Sequence, residues 1–458
     1  MSRENNEFLA KVEEIFAYNL TCPKTDKKLF QRKRIFTFEN CIYSFLLNGV
    51  NKFNLGSSHV LAIMYTEGLL QNSTDIPLAK NYNRACDKIS SNDIDNLVKS
   101  SFDLESKSKE ELYHGLRVTI VDGTHIIVPR TEKTIVEFGL GSGSVGDAHY
   151  PQTQSVGFLN LSTGLFEHFT SENIKTPERQ FMQDHARENN RPTLYLSDAG
   201  YNGMGHVAII ISYNQDILMQ LKIETAFAKE FCKKSKRRSQ IFEITITDVH
   251  LRNYPEFKHL KGQTIKIRLI RTRGTTKLRS QILLTTLLDE KTFGWEELSK
   301  LYLQRYKVEL AFRHLKSVIG IEKIQKEKIE RIKQLLSAAI LLFNISVMLR
   351  NTIKQNSILP EIKGTKVYCL QLATDLIPKL LGAYTTRKSK LIEMMKSCVK
   401  AIKSCFSFNR PWRTTARICQ FPCSTFTRQK TSRKNLERLK VVYLRPEYAI
   451  LGCEYGML

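Results

Sequence analysis

The chain has 458 residues, of which 42% are hydrophobic and 25% are charged, values typical of a globular protein and not of a disordered or fibrous one. It carries 70 Lys and Arg against 45 Asp and Glu, which gives a formal net charge of +25 at pH 7. This excess indicates a polyanionic partner, because each neutralised phosphate releases condensed counterions. Nucleic acid is the first interpretation, and an anionic membrane surface is its rival.

Two features of the sequence argue against a membrane protein. Residues 1–14 have neither the basic start nor the apolar core of a signal peptide. The most apolar run, residues 335–349, is too short to span a bilayer and contains Ser337, Asn344 and Ser346. We therefore expect a buried core helix in this run and no membrane partner.

The ten cysteines are scattered along the chain, which suits a reducing cytosol and not a disulfide framework. Four of them near the C-terminus raise the alternative of a zinc site: Cys398, Cys405, Cys419 and Cys423. No CxxC pair occurs among them and their spacing is irregular, so we interpret them as free thiols.

Residues 1–112 are predicted to be helical. Phe8, Val12 and Ile15 recur at helical spacing, as do apolar residues between positions 60 and 70, and residues 54–58 have the composition of a turn and helix cap. The region is either a DNA-binding module or a packing appendage of the core. No clean helix-turn-helix pattern decides between the two.

The pattern changes to short β-branched runs after Leu116. Residues 117–121 form such a run and end in Asp122 and Gly123, and residues 193–197 repeat it before Asp198. Further elements are predicted as strands at 125–129, 155–161 and 216–221, a helix at 177–189 and a Gly- and Ser-rich stretch at 139–146. This succession predicts an α/β fold, a mixed sheet with helices on its faces.

Residues 226–290 have a period of two. Phe242, Ile244 and Ile246 alternate with polar residues, which predicts half-buried antiparallel strands and a β-rich insertion. A basic loop at residues 233–238 introduces it. That loop is either a solvated charge run or a phosphate contact.

The C-terminal region is basic. Residues 400–440 contain eleven Lys and Arg and one acidic residue, Glu437, with Trp412 and Phe426 interleaved. Basic tracts with aromatic residues suit contact with nucleic acid, and the alternative is a merely solvated tail.

A predicted long helix from about residue 295 carries four residues of interest. At about 100° per residue, Tyr302, Arg305, Glu309 and Lys316 fall within an arc of roughly 60°, and Arg313 borders the same stripe. Taken alone, this pattern is that of an amphipathic surface helix with ion pairs.

Two further carboxylates change that interpretation. Asp122 and Asp198 each follow an apolar strand, the position at which open α/β sheets build their sites. With Glu309 they form a set of oxygen ligands that suits Mg²⁺. Two such ions roughly 3.5–4 Å apart would activate the attacking oxygen and stabilise the leaving oxygen of a phosphoryl transfer. Arg305 and Lys316 would then bind phosphate.

Three motifs carry a resemblance to a known family. They are VDGT at residues 121–124, SDAGYN at residues 197–202 and Y(2)R(3)E(6)K at residues 302–316. They resemble the signature of bacterial insertion-sequence transposases, specifically insertion-sequence family four, over roughly residues 115–350.

The resemblance implies a DDE transposase with an RNase H-like fold. Asp122, Asp198 and Glu309 would be its catalytic residues and the ligands of two Mg²⁺ ions, for which Mn²⁺ can substitute. The residues implied to bind DNA are Tyr302, Arg305, Arg313 and Lys316. The partners implied are double-stranded transposon-end and target DNA and a second copy of the chain, and the location implied is the bacterial cytoplasm, at the nucleoid.

The prediction for the domains divides the chain into five parts: a helical N-terminal region at 1–112 that is a candidate for DNA-end binding, catalytic core at 113–225 and 291–350, the β-rich insertion at 226–290, and a basic C-terminal region at 351–458 for DNA contact or dimerisation.

Relatives stack a flipped base on a Trp of the insertion, but Trp295 lies too close to Tyr302 for that role to be assigned. We interpret His125 and His314 as structural. The alternative functions are an inactive DNA-binding relative or repressor, and a nuclease without strand transfer.

Overall fold

The computed structural model describes residues 35–70, 75–142, 146–222, 225–234, 238–272, 281–355 and 367–386, together with short stretches at 10–11, 14, 393–394, 397, 400–401, 417–419 and 428–430. The predictions made for the zinc-site cysteines, for Phe8, Val12 and Ile15, and for the aromatic side chains of the basic tail concern side chains outside the described part. The same holds for the basic loop except for Arg238.

Within the described residues, nine strands form one mixed sheet with the order β2-β3-β1-β5-β6-β9-β8-β7, and β4 pairs with β3. The strands are β1 Arg117–Ile127, β2 Leu140–Ser142, β3 Asp147–Asn160, β4 Phe166–Asn173, β5 Thr193–Ser197, β6 Asp216–Leu221, β7 Ser239–Thr245, β8 Thr264–Arg271 and β9 Ile282–Thr285.

The helices of the described residues are α1 Phe38–Val50, α2 Ser57–Thr66, α3 Ala79–Cys86, α4 Ser91–Lys109, α5 Glu132–Phe138, α6 Glu178–Glu188, α7 Met204–Ser212, α8 Ala226–Lys234, α9 Asp248–Leu251, α10 Trp295–Leu303, α11 Tyr306–His314, α12 Ile329–Gln355 and α13 Val367–Thr386. A π-helical turn, Leu315–Ile319, follows α11 directly. The predicted α/β class is confirmed.

The centre of the sheet combines antiparallel and parallel neighbours. β3 is antiparallel to both β1 and β4, whereas β5 is parallel to β1 and to β6. Parallel neighbours end at the same edge of a sheet, so the residues that follow β5 lie beside the second half of β1. This arrangement sets the two aspartates side by side.

The expectation that Asp122 ends its strand is wrong. β1 continues through Asp122 and Gly123 to Ile127, because β3 is long enough to pair with it over its whole second half, with Asp122 opposite Gly157. The separate strand predicted from His125 is therefore the continuation of β1. Only β5 ends at this level, immediately before Asp198.

The strands of residues 226–290 continue the central sheet. β7 and β8 are antiparallel, as the period of two predicts, and β9 pairs with both β8 and β6. Arg268 is buried in this extension, where it donates to the Ser239 hydroxyl and to the carbonyl oxygen of Phe293.

The two faces of the sheet bury different helices, because successive strand residues point to opposite faces. Ile120 and Leu196 belong to a core that includes residues of α1–α4, α11 and α12. Val121 and Tyr195 belong to a second core that includes residues of α6–α8. The described part of the N-terminal region packs against α12 through α1 and α4.

The apolar run predicted as a core helix lies within α12. Residues Ile329–Thr352 have the length and composition to cross a membrane, but 89% of that stretch's most apolar window is buried inside the protein. Asn344 accepts from the backbone N–H of Phe166 and donates to its carbonyl oxygen, at 3.0 and 2.9 Å. A polar side chain satisfied in this way belongs in a protein core, which confirms the prediction.

Candidate active site

Asp122 and Asp198 lie at the same level of adjacent parallel strands. Ile120 pairs with Leu196, and each aspartate comes two residues later. The Oδ1 atom of Asp122 accepts from Gly123 N at 3.0 Å, and that of Asp198 accepts from Gly200 N at 2.7 Å. The backbone therefore orients both carboxylates, and the glycines one and two residues after them supply the donors.

Glu309 joins them through Arg305. Nη2 of Arg305 donates to Glu309 Oε1 at 2.6 Å, and Nη1 lies 3.4 Å from Asp122 Oδ2. Asp122 shares a face with Ile120, on the side of the sheet where Val308 and Phe312 of α11 are buried. The structure therefore brings Glu309 to Asp122 from the face of the sheet that α11 covers.

The charges of the three carboxylates interact. Burial raises the pKa of Asp122 to about 7 although Arg305 lowers it, and the negative charges of Asp198 and Glu309 contribute to the rise. Burial also raises the pKa of Tyr201 well above its ordinary value, and the charges of Asp122 and Asp198 raise it further. A concentration of negative charge around these groups is what a cation would relieve.

The donor chemistry of this cluster suits a hard divalent ion, because carboxylate oxygens are the ligands that Mg²⁺ and Mn²⁺ take. In the part of the chain that the structure describes, no three His, Cys, Asp or Glu side chains stand ready arranged around a metal ion. The cation that contacts two of the carboxylates is Arg305 instead. The assignment of Asp122, Asp198 and Glu309 as metal ligands stays a prediction.

The helix that carries the Y(2)R(3)E(6)K motif is interrupted, which corrects the expectation of one regular helix. α10 ends at Leu303, α11 begins at Tyr306, and a π-helical turn contains Lys316. The 60° arc drawn for a continuous helix therefore does not describe the four residues. Each has a different environment.

Tyr302 is buried, and its hydroxyl donates to the carbonyl oxygen of Ser197, the residue before Asp198, at 3.2 Å. Lys316 donates to the carbonyl oxygen of His125 at 3.0 Å and pairs with Glu322 at 2.9 Å. Arg313 is exposed on the outer side of α11. The observed contacts of Tyr302 and Lys316 are thus with the protein around Asp122 and Asp198, and their contact with DNA stays a prediction.

His125, His314 and Trp295 contact only neighbouring protein groups among the interactions that the structure shows. His125 Nε2 lies 2.9 Å from Gln154 Oε1, and the buried His314 lies 3.1 Å from the Thr374 hydroxyl. Burial lowers the pKa of His314 to about 4. Trp295 packs against the core with Arg238 5.5 Å from its ring centroid.

Two residues at this site were not predicted from the sequence. Glu178 and Arg179 begin α6; Glu178 lies against Gly123 in β1, and Arg179 contacts the turn that holds Asp198. The sequence signal was weak, since a Glu in the first turn of a helix is common and a single Arg beside it forms no recognisable motif. Only the packing of α6 on the sheet brings them to the site.

Comparisons with known proteins agree with the motifs. A family model described as the transposase DDE domain matches residues 113–345. The Transposase InsG for insertion sequence element IS4 of Escherichia coli (strain K12) is 22% identical over 233 residues, which are 50% of this chain and 51% of that protein. The chain thus matches about half the length of this curated relative. A solved structure titled as the piggyBac transposase synaptic complex with hairpin DNA covers 97% of this chain and 91% of its own, with a TM-score of 0.41 and 10% identity.

Proposed function

Because the chain belongs to the family of the transposase DDE domain, we propose that it is a DNA transposase. It binds the inverted-repeat ends of a mobile element, cleaves them by phosphoryl transfer and joins the freed 3′-OH ends to target DNA. One observation carries the proposal. Asp122 and Asp198 lie at one level of parallel strands, and Arg305 ties Glu309 to Asp122.

The three carboxylates would hold two divalent ions, Mg²⁺ or Mn²⁺, which when bound supply Lewis-acid stabilisation of the attacking and leaving oxygens. The protein's own residues orient these ligands. Backbone N–H groups fix Asp122 and Asp198, and Arg305 holds Glu309 beside them. Arg305 keeps a guanidinium that suits bidentate contact with a phosphate once it leaves the carboxylates.

The partners in this proposal are double-stranded transposon ends, target DNA and a second copy of the chain. The net charge of +25 supplies the sequence-independent part of the affinity for DNA. Arg313 and Lys316 lie on the same segment as Glu309, where cations can contact phosphates near the scissile bond. The protein acts in the cytoplasm, at the nucleoid.

Incubation of the full-length protein with labelled inverted-repeat DNA and Mg²⁺ tests the proposal. We expect cuts that leave 3′-OH ends, followed by products joined to a second DNA, and neither in EDTA. DNA with a scrambled end sequence is the matched control. Cuts without joined products would support a nuclease instead.

A second candidate is favoured by the contact of Arg305 with two of the carboxylates. A protein that kept this fold only to bind DNA would hold its charges neutralised in the same way. Such a repressor-like protein binds the inverted repeats but cuts nothing at any Mg²⁺ or Mn²⁺ concentration. Binding without cleavage in the same assay would therefore replace the transposase proposal.

A further inference from the structure

The start of α6 meets the Asp122 segment of β1 and the Asp198 turn from the face of the sheet opposite to Glu309. Gly123 follows Asp122 in β1, so a side chain at position 123 would point to the same face of the sheet as Val121. Phe181 and Met182 of α6 are buried on that face. A Cβ built on Gly123 would collide with the carboxylate of Glu178, and no other residue lies nearer to that position. The first residue of α6 therefore occupies the space that a side chain at position 123 would need.

Arg179, the next residue of α6, contacts the turn that follows β5. Nε and Nη2 of Arg179 both donate to the carbonyl oxygen of Gly200, at 3.1 and 3.0 Å. A Cβ on Gly203 would lie 3.1 Å from Nη1 of the same guanidinium. Gly200 is also the residue whose N–H donates to Asp198. Arg179 thus holds the residue whose backbone N–H orients the Asp198 carboxylate.

Glu178 is itself held by a polar chain that leads back to β1. Gln154 Nε2 donates to Glu178 Oε1 at 2.9 Å, and Gln154 Oε1 lies 2.9 Å from His125 Nε2. Gln154 is buried and pairs with His125 across β1 and β3. Burial raises the pKa of Glu178, and the charge of Asp198 raises it further, which places the Glu178 carboxylate within the field of the site.

We propose that Glu178 and Arg179 are positioning residues that clamp the Asp122 segment of β1 and the Asp198 turn together from behind the sheet. The inference rests on the proposed function, because the geometry held by the clamp matters for holding a metal ion between Asp122 and Asp198. Neither residue contacts the reacting groups. Residues that orient metal ligands in this way set the affinity for the ion, and their loss typically costs 10–100-fold.

Mn²⁺ binding to the full-length protein without DNA tests the clamp. The electron paramagnetic resonance signal of free Mn²⁺ measures the amount of ion that is not bound. We expect Arg179→Ala to weaken Mn²⁺ binding by about 10-fold or more, and Arg179→Lys to restore part of the loss because the cation remains. Arg187→Ala is the matched control, since Arg187 is exposed near the other end of α6 and pairs with Asp184. Its affinity should equal that of the wild type.

A double-mutant cycle tests the contact itself. Gly123→Ala should lower the thermal midpoint because its Cβ displaces the Glu178 carboxylate from its hydrogen bond with the buried Gln154, and adding Glu178→Ala should recover much of the loss. Glu188→Ala in place of Glu178→Ala should recover nothing, because Glu188 is exposed at the end of the helix. Additive effects of Gly123→Ala and Glu178→Ala would overturn the clamp.

The outcomes separate this inference from the proposed function. If the wild type binds Mn²⁺ and Arg179→Ala binds it equally well in a folded protein, the clamp is wrong and the proposed function stands. If Arg179→Ala does not fold, Arg179→Lys and Glu178→Gln carry the same measurement. If the wild type neither binds Mn²⁺ nor cuts DNA, the proposed function fails, and the coupling between Gly123 and Glu178 alone decides whether the clamp exists.

Discussion

Nη1 of Arg305 lies 3.4 Å from Oδ2 of Asp122, although the two residues are 183 positions apart in the chain. The same guanidinium donates to Glu309 at 2.6 Å. The side chains of Arg305 and Asp122 are 19% and 17% exposed, so water screens their charges only in part. One protein cation thus compensates two of the three carboxylates.

Replacing Glu309 by Gln keeps the shape of the side chain and removes its charge. We expect DNA-end binding to be retained, because the cations around the site remain, and cleavage to fall by more than about 100-fold, beyond the loss caused by residues that only orient ligands. Mobility shift and cleavage assays on the same DNA measure the two effects. Glu296→Gln, an exposed change in α10, is the control. Normal cleavage by Glu309→Gln would show that Glu309 is not the third ligand.

The raised pKa of Asp122 makes the stability of the metal-free protein depend on pH. The pKa is about 7 in the folded protein and about 3.9 in an unfolded chain. The folded state therefore binds more protons between these values, and the contribution of Asp122 to stability falls as the pH rises through this window and is constant above it. Asp122→Asn should accordingly stabilise the protein at pH 8 in EDTA, by on the order of 1 kcal/mol or more.

Urea unfolding in EDTA measures this gain, which should become small as the pH approaches 4. Asp248→Asn is the control, because the Asp248 side chain is 75% exposed and pairs with Lys261 at the surface. An Asp122→Asn protein that is less stable than the wild type at pH 8 would contradict the electrostatic description of the site.

Arg313→Ala removes an exposed cation on the helix that carries Glu309. If Arg313 contacts a phosphate, DNA binding weakens similarly for all sequences, and the slope of log K against log salt concentration falls by about 1. Fluorescence anisotropy at several salt concentrations measures the slope. Arg187→Ala removes the same charge from the distant end of α6. Equal slopes for the two variants would mean that position 313 has no special contact with DNA.

Gly157→Ala should disturb the packing beneath Asp122. Gly157 pairs with Asp122, and a Cβ there would lie 2.6 Å from Phe166 and 3.0 Å from Phe312, which belongs to the helix of Glu309. Overpacking of this kind costs about 1–3 kcal/mol, so the urea midpoint should fall. Gly294→Ala is the control, since a Cβ at that position meets nothing within 4 Å. An unchanged midpoint for Gly157→Ala would show that the aromatic rings move aside freely.

Asn344→Leu leaves both backbone groups of Phe166 without their side-chain partner. Buried groups left unsatisfied cost about 1–3 kcal/mol each, so the variant should lose at least about 2 kcal/mol of unfolding free energy. Ser346→Ala, which removes only a hydrogen bond to Leu342 one turn earlier in α12, should lose less. Equal losses would argue that Asn344 does not tie α12 to β4.

The sequence by itself determined the class of the fold and the family, and it named the candidate site residues Asp122, Asp198 and Glu309. Apolar strands before Asp122 and Asp198, and the spacing from Tyr302 to Lys316, are local patterns. They can be recognised because strand alternation and helical periodicity depend only on neighbouring residues. The alternation in residues 242–246 likewise predicted the antiparallel strands that extend the sheet.

Only the tertiary structure decided how these pieces meet. Pairing with β3 keeps Asp122 inside a strand, the break at Gln304 and Arg305 turns one helical face into separate environments, and the approach of α6 behind the sheet brings Glu178 to Gly123. Each of these depends on contacts between residues far apart in the chain. Packing contacts of this kind leave no periodic pattern in the sequence. They therefore cannot be predicted from neighbouring residues and are seen only in the folded chain.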